Sequence, residues 1–266
     1  MSDETTDQRK ERLLRVRKPP PPFGVVRVVE RTEVSPRLMR LTVAGDGLRG
    51  FEVAQPAASI RVVVPWPGEE LEVPEWNGNE FLLADGRRPA LRTFTPLRVD
   101  GVAGRLDLEV VRHEGGAVSG WAERAAVGDE AAISGPGAGY DYAEGAERLL
   151  VFGDETALPA MTQVIEMAPA GLALDVHVEV LADHAVIELP ERPGADVHWH
   201  VTTPGEQPGG CLAAVVQALD ELPDLTHVWA AGEASAMQAI RNHLFKVLGV
   251  ERARATVRGY WKPAER

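Results

Sequence analysis

Arg92, Thr93, Phe94, Thr95 and Pro96 place an always-charged planar fork, a flat aromatic ring and a short hydroxyl along one segment. A flavin dinucleotide requires those three groups: a cation for its pyrophosphate, a plane for its ring system and a small polar partner at the reactive edge. On a strand, Arg92 and Phe94 share one face while Thr93 and Thr95 share the other, so twist or a bulge must bring Thr95 toward the ring. Taken alone, an arginine and an aromatic on a strand are more often a salt bridge and a core residue. A second segment adds weight. Leu106 to His113 alternates as a strand and runs into Glu114-Gly115-Gly116-Ala117-Val118-Ser119-Gly120-Trp121, a glycine turn opening a short helix. Such an opening leaves backbone N–H groups and a positive dipole end facing outward, which is a seat for pyrophosphate. His113 reads as a contact to the flavin or as a strand-end histidine, and Trp121 as core.

Other candidates lie further on. Gly153-Asp154-Glu155-Thr156 follows an apolar run without any G-x-G-x-x-G pattern. Thr156 can cap the next helix and Pro159 fits its first turn, but two carboxylates there would repel a second pyrophosphate. Gly232-Glu233-Ala234-Ser235 reads as a tight strand-to-helix turn with the same ambiguity. His198 and His200 have a metal-like spacing on one strand face, yet no third ligand is in view, and no metal is expected.

These segments in this order resemble the siderophore-interacting proteins, flavin-dependent ferric-siderophore reductases within the ferredoxin-reductase superfamily. The likeness is carried by Arg92 to Thr95, His113 to Trp121, Gly153 to Ala160, Trp229 to Ala236 and Gly259-Tyr260-Trp261-Lys262, and spans roughly residue 22 to the end. It implies that a barrel holds FAD and an α/β domain serves the electron donor, which is NADH, NADPH or ferredoxin. Carried over, Arg92 pairs with the pyrophosphate, with Thr93 beside it; Phe94 covers the flavin ring, and Thr95 bonds near its reactive edge. Gly116, Ala117, Val118 and Ser119 supply amides and one hydroxyl, Thr156 joins the cofactor set, and Trp261 is a lid. Lys262, Arg258 and Arg98 are the cations expected to hold an anionic ferric chelate. Two departures stand out: Phe94 where the family usually has tyrosine, and Leu97 where it often has a second arginine. Arg98 is one residue removed, and such a step on a strand points to the opposite face.

The implied activity is FAD-dependent reduction of a ferric siderophore to release Fe²⁺ in the cytoplasm. Oxygen donors matched to Fe³⁺ hold Fe²⁺ less tightly, so one electron loosens the chelate. A related flavoenzyme with another acceptor and a flavin-carrying siderophore-binding protein with little turnover remain the alternatives.

Composition permits this reading. With 266 residues, 44% apolar and 26% charged, the chain has room for two modest cores. A formal net charge of −12 argues against nucleic acid or anionic membrane as a partner. No apolar run approaches the roughly 18 residues of a membrane span, and the first twenty residues lack a signal-peptide core. The single cysteine, Cys211, allows no intramolecular disulfide and fits a reducing compartment.

The elements that must position these groups fall into two halves. Residues 1–21 read as a flexible arm, stiffened by Pro19 to Pro22. Residues 22–142 read as a six-stranded antiparallel β-barrel domain for FAD, with strands at Val25–Arg31, Leu38–Ala44, Ile60–Pro65, Leu91–Val99, Leu106–His113 and Glu130–Ser134 and one helix near Ala117–Ala126. The insertion Pro67–Arg88 reads as a loop or small hairpin. Residues 143–266 alternate strand and helix, the grammar of a parallel α/β sheet, and the resemblance implies a ferredoxin-reductase-like arrangement of it. Helices are expected over Cys211–Leu222 and Ala234–Leu248.

Overall fold

The computed structural model describes residues 20–113, 115–203 and 205–263. The arm expected over 1–21 lies outside the described residues except for Pro20 and Pro21, and the Pro21 carbonyl accepts a hydrogen bond from Ser134 Oγ at 2.5 Å. Glu114 of the glycine turn is also outside them.

The N-terminal half contains β1 (Gly24–Ser35), β2 (Leu38–Ala44), β3 (Ile60–Val64), β4 (Glu75–Trp76), β5 (Phe81–Leu82), β6 (Ala90–Phe94), β7 (Arg98–Asp100), β8 (Arg105–Val111), helix α1 (Ala117–Arg124) and β9 (Glu130–Ser134). Strands β4 and β5 form a separate hairpin inside the expected insertion. The other seven form one antiparallel sheet in the order β6-β3-β9-β1-β2-β8-β7. Alternating apolar residues such as Leu41, Val43, Val62, Leu106 and Leu108 fill its concave side, and Trp121 of α1 joins them as a core residue. The single strand expected over Leu91–Val99 is instead two strands on opposite edges of the sheet, broken at Thr95-Pro96-Leu97. Proline has no N–H for a ladder, so pairing stops there. Edges joined by three residues must approach each other, and the sheet curls into a half-barrel.

The C-terminal half contains β10 (Arg148–Asp154), α2 (Leu158–Glu166), β11 (Ala173–Val180), β12 (Ala195–Val201), α3 (Gly210–Gln217), β13 (Thr226–Glu233), α4 (Ala234–Asn242) and β14 (Ala255–Trp261). Its five strands run parallel in the order β12-β11-β10-β13-β14. Val151, Val176, Val178 and Trp229 pack under α2 on one face; Phe152, Val228 and Ala230 pack with α3 and α4 on the other. This is the parallel α/β sheet that the sequence pattern implied, in the ferredoxin-reductase-like arrangement that the resemblance implied. Both later helices are shorter than expected: α3 ends at Gln217, and α4 passes at His243 into a π-helical turn to Val247.

The chain leaves β10 toward β11 and β12, then returns to place β13 on β10's other side. The carboxyl ends of β10 and β13 therefore flank a crevice, and the half-barrel packs there. Gln163, buried on α2, ties the two halves: its Oε1 accepts from Ala57 N at 2.9 Å, and its Nε2 donates to Pro96 O at 2.5 Å. Arg37 of the barrel reaches buried Glu155 at 2.8 Å.

Candidate functional site

Helix α1 begins at Gly116, whose backbone is extended and offers no side-chain cap. Gly120 N bonds Gly116 O at 2.8 Å, which leaves the amides of Ala117, Val118 and Ser119 without an acceptor among the described residues. A Cβ on Gly116 would lie 2.3 Å from His113 Cε1, so glycine there lets the imidazole lie against the helix opening. Ser119 turns inward: its Oγ donates to His113 O at 3.1 Å and accepts from His113 N at 3.0 Å. Its hydroxyl, expected on a pyrophosphate, is committed to the main chain, so Ser119 offers an amide alone.

The helix packs against β6, which carries the arginine-aromatic motif. Arg92 shares a face of β6 with Ala90 and Phe94, opposite Val62 of β3, but β6 is an edge strand and the guanidinium is exposed. It donates to Leu91 O at 2.7 Å and pairs with no carboxylate among the described residues. Thr93 is exposed across from Arg61. Phe94 rests one side on the barrel core. Thr95 opens the strand break, is buried, and lies close to the phenol of Tyr260. Leu97, where a second arginine was considered, is buried with its N–H on Asp107 O at 2.9 Å.

These residues fit a flavin dinucleotide. Among the described residues the donors are a helix opening without a side-chain cap and a guanidinium without a carboxylate, both suited to phosphate oxygens, and an aromatic face and a hydroxyl follow on the same segment.

The strand ends of the α/β domain carry a different chemistry. Asp154 is buried at the end of β10 and accepts from Thr156 N at 2.9 Å, Thr156 Oγ1 at 2.5 Å, Glu233 N at 2.8 Å and Trp261 Nε1 at 2.7 Å. Burial raises its pKa above the ordinary carboxylate value, against those bonds. Glu155, expected to repel a phosphate, is instead neutralised by Arg37 and also accepts from Leu181 N at 2.9 Å. Glu233 is buried and accepts from Ser235 N at 2.7 Å and Ala236 N at 2.9 Å, capping α4. Glu179, at the end of β11, accepts from Gly209 N and Cys211 N at the start of α3.

Trp261 thus hangs on Asp154, while the neighbouring Tyr260 meets Thr95. The register slips between the pairs Gly232–Gly259 and Glu233–Trp261, and the extra residue of such a bulge is re-aimed. Strand alternation read from sequence cannot place that slip, which is why Tyr260 was missed beside Trp261. Of the three expected substrate cations, Arg98 sits 3.8 Å from Glu166 and Arg258 donates to Gly139 O at 3.2 Å. Lys262 is exposed and has no partner among the described residues. Gln163, which holds the Pro96 turn, carried no sequence signal.

Comparison with known proteins gives the following. Residues 27–140 match the model of the siderophore-interacting FAD-binding domain, and residues 146–264 match that of the siderophore-interacting protein. The chain is 28% identical over 244 residues to the ferric vibriobactin reductase of Vibrio cholerae, covering 88% of this chain and 87% of the relative. It is 25% identical over 250 residues to the NADPH-dependent ferric-chelate reductase of Escherichia coli, covering 90% and 92%. Among solved structures, a siderophore utilization protein from T. fusca superposes with a TM-score of 0.81 at 29% identity, covering 93% of this chain and 95% of that one.

Proposed function

The chain belongs to the siderophore-interacting protein family, and from that premise we propose that it is an FAD-dependent ferric-siderophore reductase. The observation that carries the reading is the pairing of an α1 opening that no described side chain caps with an Arg92, on the adjacent edge strand, that no described carboxylate pairs. Arg92 and the amides of Ala117 to Ser119 hold the pyrophosphate, Phe94 supports the ring system, and Thr95 with Tyr260 orients its polar edge. When bound, FAD accepts a pair of electrons from its donor and passes them on singly, as iron requires. The protein need not bond to the iron: Lys262, exposed at the end of β14, draws an anionic chelate toward this edge by attraction that salt weakens.

We take NADPH as the first donor to test, because the Escherichia coli relative is named for it; NADH and ferredoxin are the other two. Carboxylates of this chain occupy the openings of α3, of α4 and of the 3-10 turn Glu155–Ala157 that leads into α2, so donor phosphates must find their cations elsewhere. The cytoplasm is the proposed setting, consistent with one cysteine and no disulfide to maintain. No helix among the described residues is long and apolar enough to cross a membrane.

The test is anaerobic reduction of the FAD-loaded protein by each donor, followed by mixing with catecholate, hydroxamate and carboxylate ferric chelates and capture of Fe²⁺. Sustained donor-driven Fe²⁺ release supports the reading. Flavin that is reduced but passes no electron to any chelate points to another acceptor, and protein that binds no FAD overturns it.

A further inference from the structure

Asp175, His177, His198 and His200 meet on the sheet face that Phe152 shares with α3, close to the β12 edge, and the flavin reading uses none of them. Asp175 and His177 stand two apart on β11, His198 and His200 two apart on β12, and the parallel register sets His177 directly beside His198. Alternation then brings all four side chains to one face. The rings lie nearly parallel, His177 at 5.0 Å from Phe152, 4.8 Å from His198 and 5.2 Å from His200 between centroids.

Asp175 Oδ1 lies 3.2 Å from His177 Nε2 and 3.3 Å from His198 Nε2. A tetrahedral ion about 2.0–2.1 Å from each donor spaces its ligands by roughly 3.3 Å. Despite the two nearby nitrogens, Asp175 Oδ1 is buried with no hydrogen-bond partner, so the ring N–H directions miss it. A buried carboxylate oxygen left so is costly, and a cation shared with the two nitrogens satisfies it.

The remaining positions of these groups are already occupied in the manner of a supported metal site. Asp175 Oδ2 accepts from Arg148 at 3.1 Å, which turns Oδ1 inward. His177 Nδ1 lies 3.0 Å from His200 Nε2; a proton donated along that contact leaves His177 Nε2 as a lone pair.

We propose that Asp175 Oδ1, His177 Nε2 and His198 Nε2 form a binding site for a divalent first-row transition ion, with His200 as a positioning residue. Two imidazoles and one carboxylate suit Zn²⁺ and Fe²⁺, whereas Mg²⁺ and Ca²⁺ prefer oxygen donors. His198 is exposed on the edge strand, so the ion has a path in and a position left for water. The site lies in the first half of β11, away from the strand ends that meet the barrel, and stands whether or not the flavin reading holds.

The FAD-loaded protein, stripped with a chelator, is titrated by calorimetry with Zn²⁺ and, anaerobically, with Fe²⁺, each against a large excess of Mg²⁺. One ion per chain is expected, with His198→Gln weakening it on the order of a hundredfold and Co²⁺ giving visible bands that this variant loses. His200→Leu should cost about tenfold, and His200→Gln, which keeps an acceptor for His177 Nδ1, should restore most of it. Because His198 is an exposed edge residue, its variant folds and carries the test even if changes at His177 do not. Saturable binding of either ion supports the site and says which it takes. Absence of saturable binding for both, or affinity unchanged in His198→Gln, overturns it.

Discussion

At the start of α1 no side chain among the described residues reaches the backbone amides and Arg92 stands nearby without a described carboxylate, whereas in the α/β domain Glu179 and Glu233 close the openings of α3 and α4 and Asp154 closes the 3-10 turn that leads into α2. Both halves therefore build the same device, a helix opening with partial positive charge, and finish it in opposite ways. A capped opening spends its field on the fold, worth about 0.5–2 kcal/mol of stability. An open one keeps that field for an anion, and the barrel keeps a second cation beside it. The contrast is the reason for proposing the phosphate site in the barrel.

The largest expected effect tests the open end. Arg92→Ala removes a charge-assisted, fork-shaped contact to phosphate and should weaken FAD binding roughly a thousandfold, about 4 kcal/mol, while the melting of the α/β domain stays put. FAD affinity within a factor of three of the parent, measured by titration, would remove the central contact from the site.

The capped end is probed next. Asp154→Ala strands Glu233 N, Trp261 Nε1 and the Thr156 amide in a buried place, and should lower unfolding free energy by about 3 kcal/mol in denaturant titration. If the loss is below about 0.5 kcal/mol, the carboxylate is not holding the strand ends together, and the contrast between the two halves fails on that side.

Much of this division could be read from residue order. The alternation of Met39, Leu41 and Val43 and the change at Leu149-Leu150-Val151-Phe152 to continuous apolar strands separate an antiparallel half from a parallel one. Arg92 and the Gly116 turn could be proposed from sequence because their chemistry is local. What stayed hidden depends on register or on distant pairing. The break at Pro96 sends β6 and β7 to opposite sheet edges, the bulge in β14 exchanges Tyr260 for Trp261 at Thr95, and Asp175 and His177 join His198 and His200 only through the pairing of β11 with β12. Asp154 and Glu155 were read as repelling a phosphate. In the fold, one is satisfied by four donors and the other by Arg37.

A smaller effect concerns the seam between the halves. Gln163→Leu keeps the volume of the buried side chain but leaves Ala57 N and Pro96 O unpaired, and should cost about 2 kcal/mol. Because Pro96 follows Thr95, FAD affinity should fall as well, by a few-fold. Loss of stability with FAD affinity untouched would mean that the Thr95 turn is held by something other than α2.

The contrast can also be inverted. Gly116→Asp gives α1 the kind of cap the α/β helices have, in an extended backbone conformation that accepts a side chain, although the His113 ring must swing away. Thermal stability of the apoprotein should hold or rise slightly, and FAD affinity should drop about tenfold, near 1.4 kcal/mol. A variant that binds FAD as tightly as the parent would show that the opening of α1 is not where the phosphates sit.

The smallest effect is a pH dependence at the seam, and it uses every tyrosine in the chain. Tyr140, Tyr142 and Tyr260 are the only three, and burial pushes all of them up. Tyr140 rises to about 12 and Tyr142 moves further, with the Tyr140 charge adding to it. Tyr260 rises because its phenol end is enclosed, though the residue as a whole is 36% exposed and the nearby Thr95 hydroxyl pulls part of the way back. In the unfolded chain these phenols ionise near pH 10. Stability from keeping them neutral is therefore present below about pH 10 and is lost as pH rises toward the folded values. Difference absorbance of the native protein should show no tyrosinate step at pH 10, and the urea-unfolded protein should show one with the amplitude of three tyrosinates. A single step near 10 that disappears in Tyr260→Phe would mean that the end of β14 is open to water and that Thr95 and Tyr260 do not close the barrel against the α/β domain.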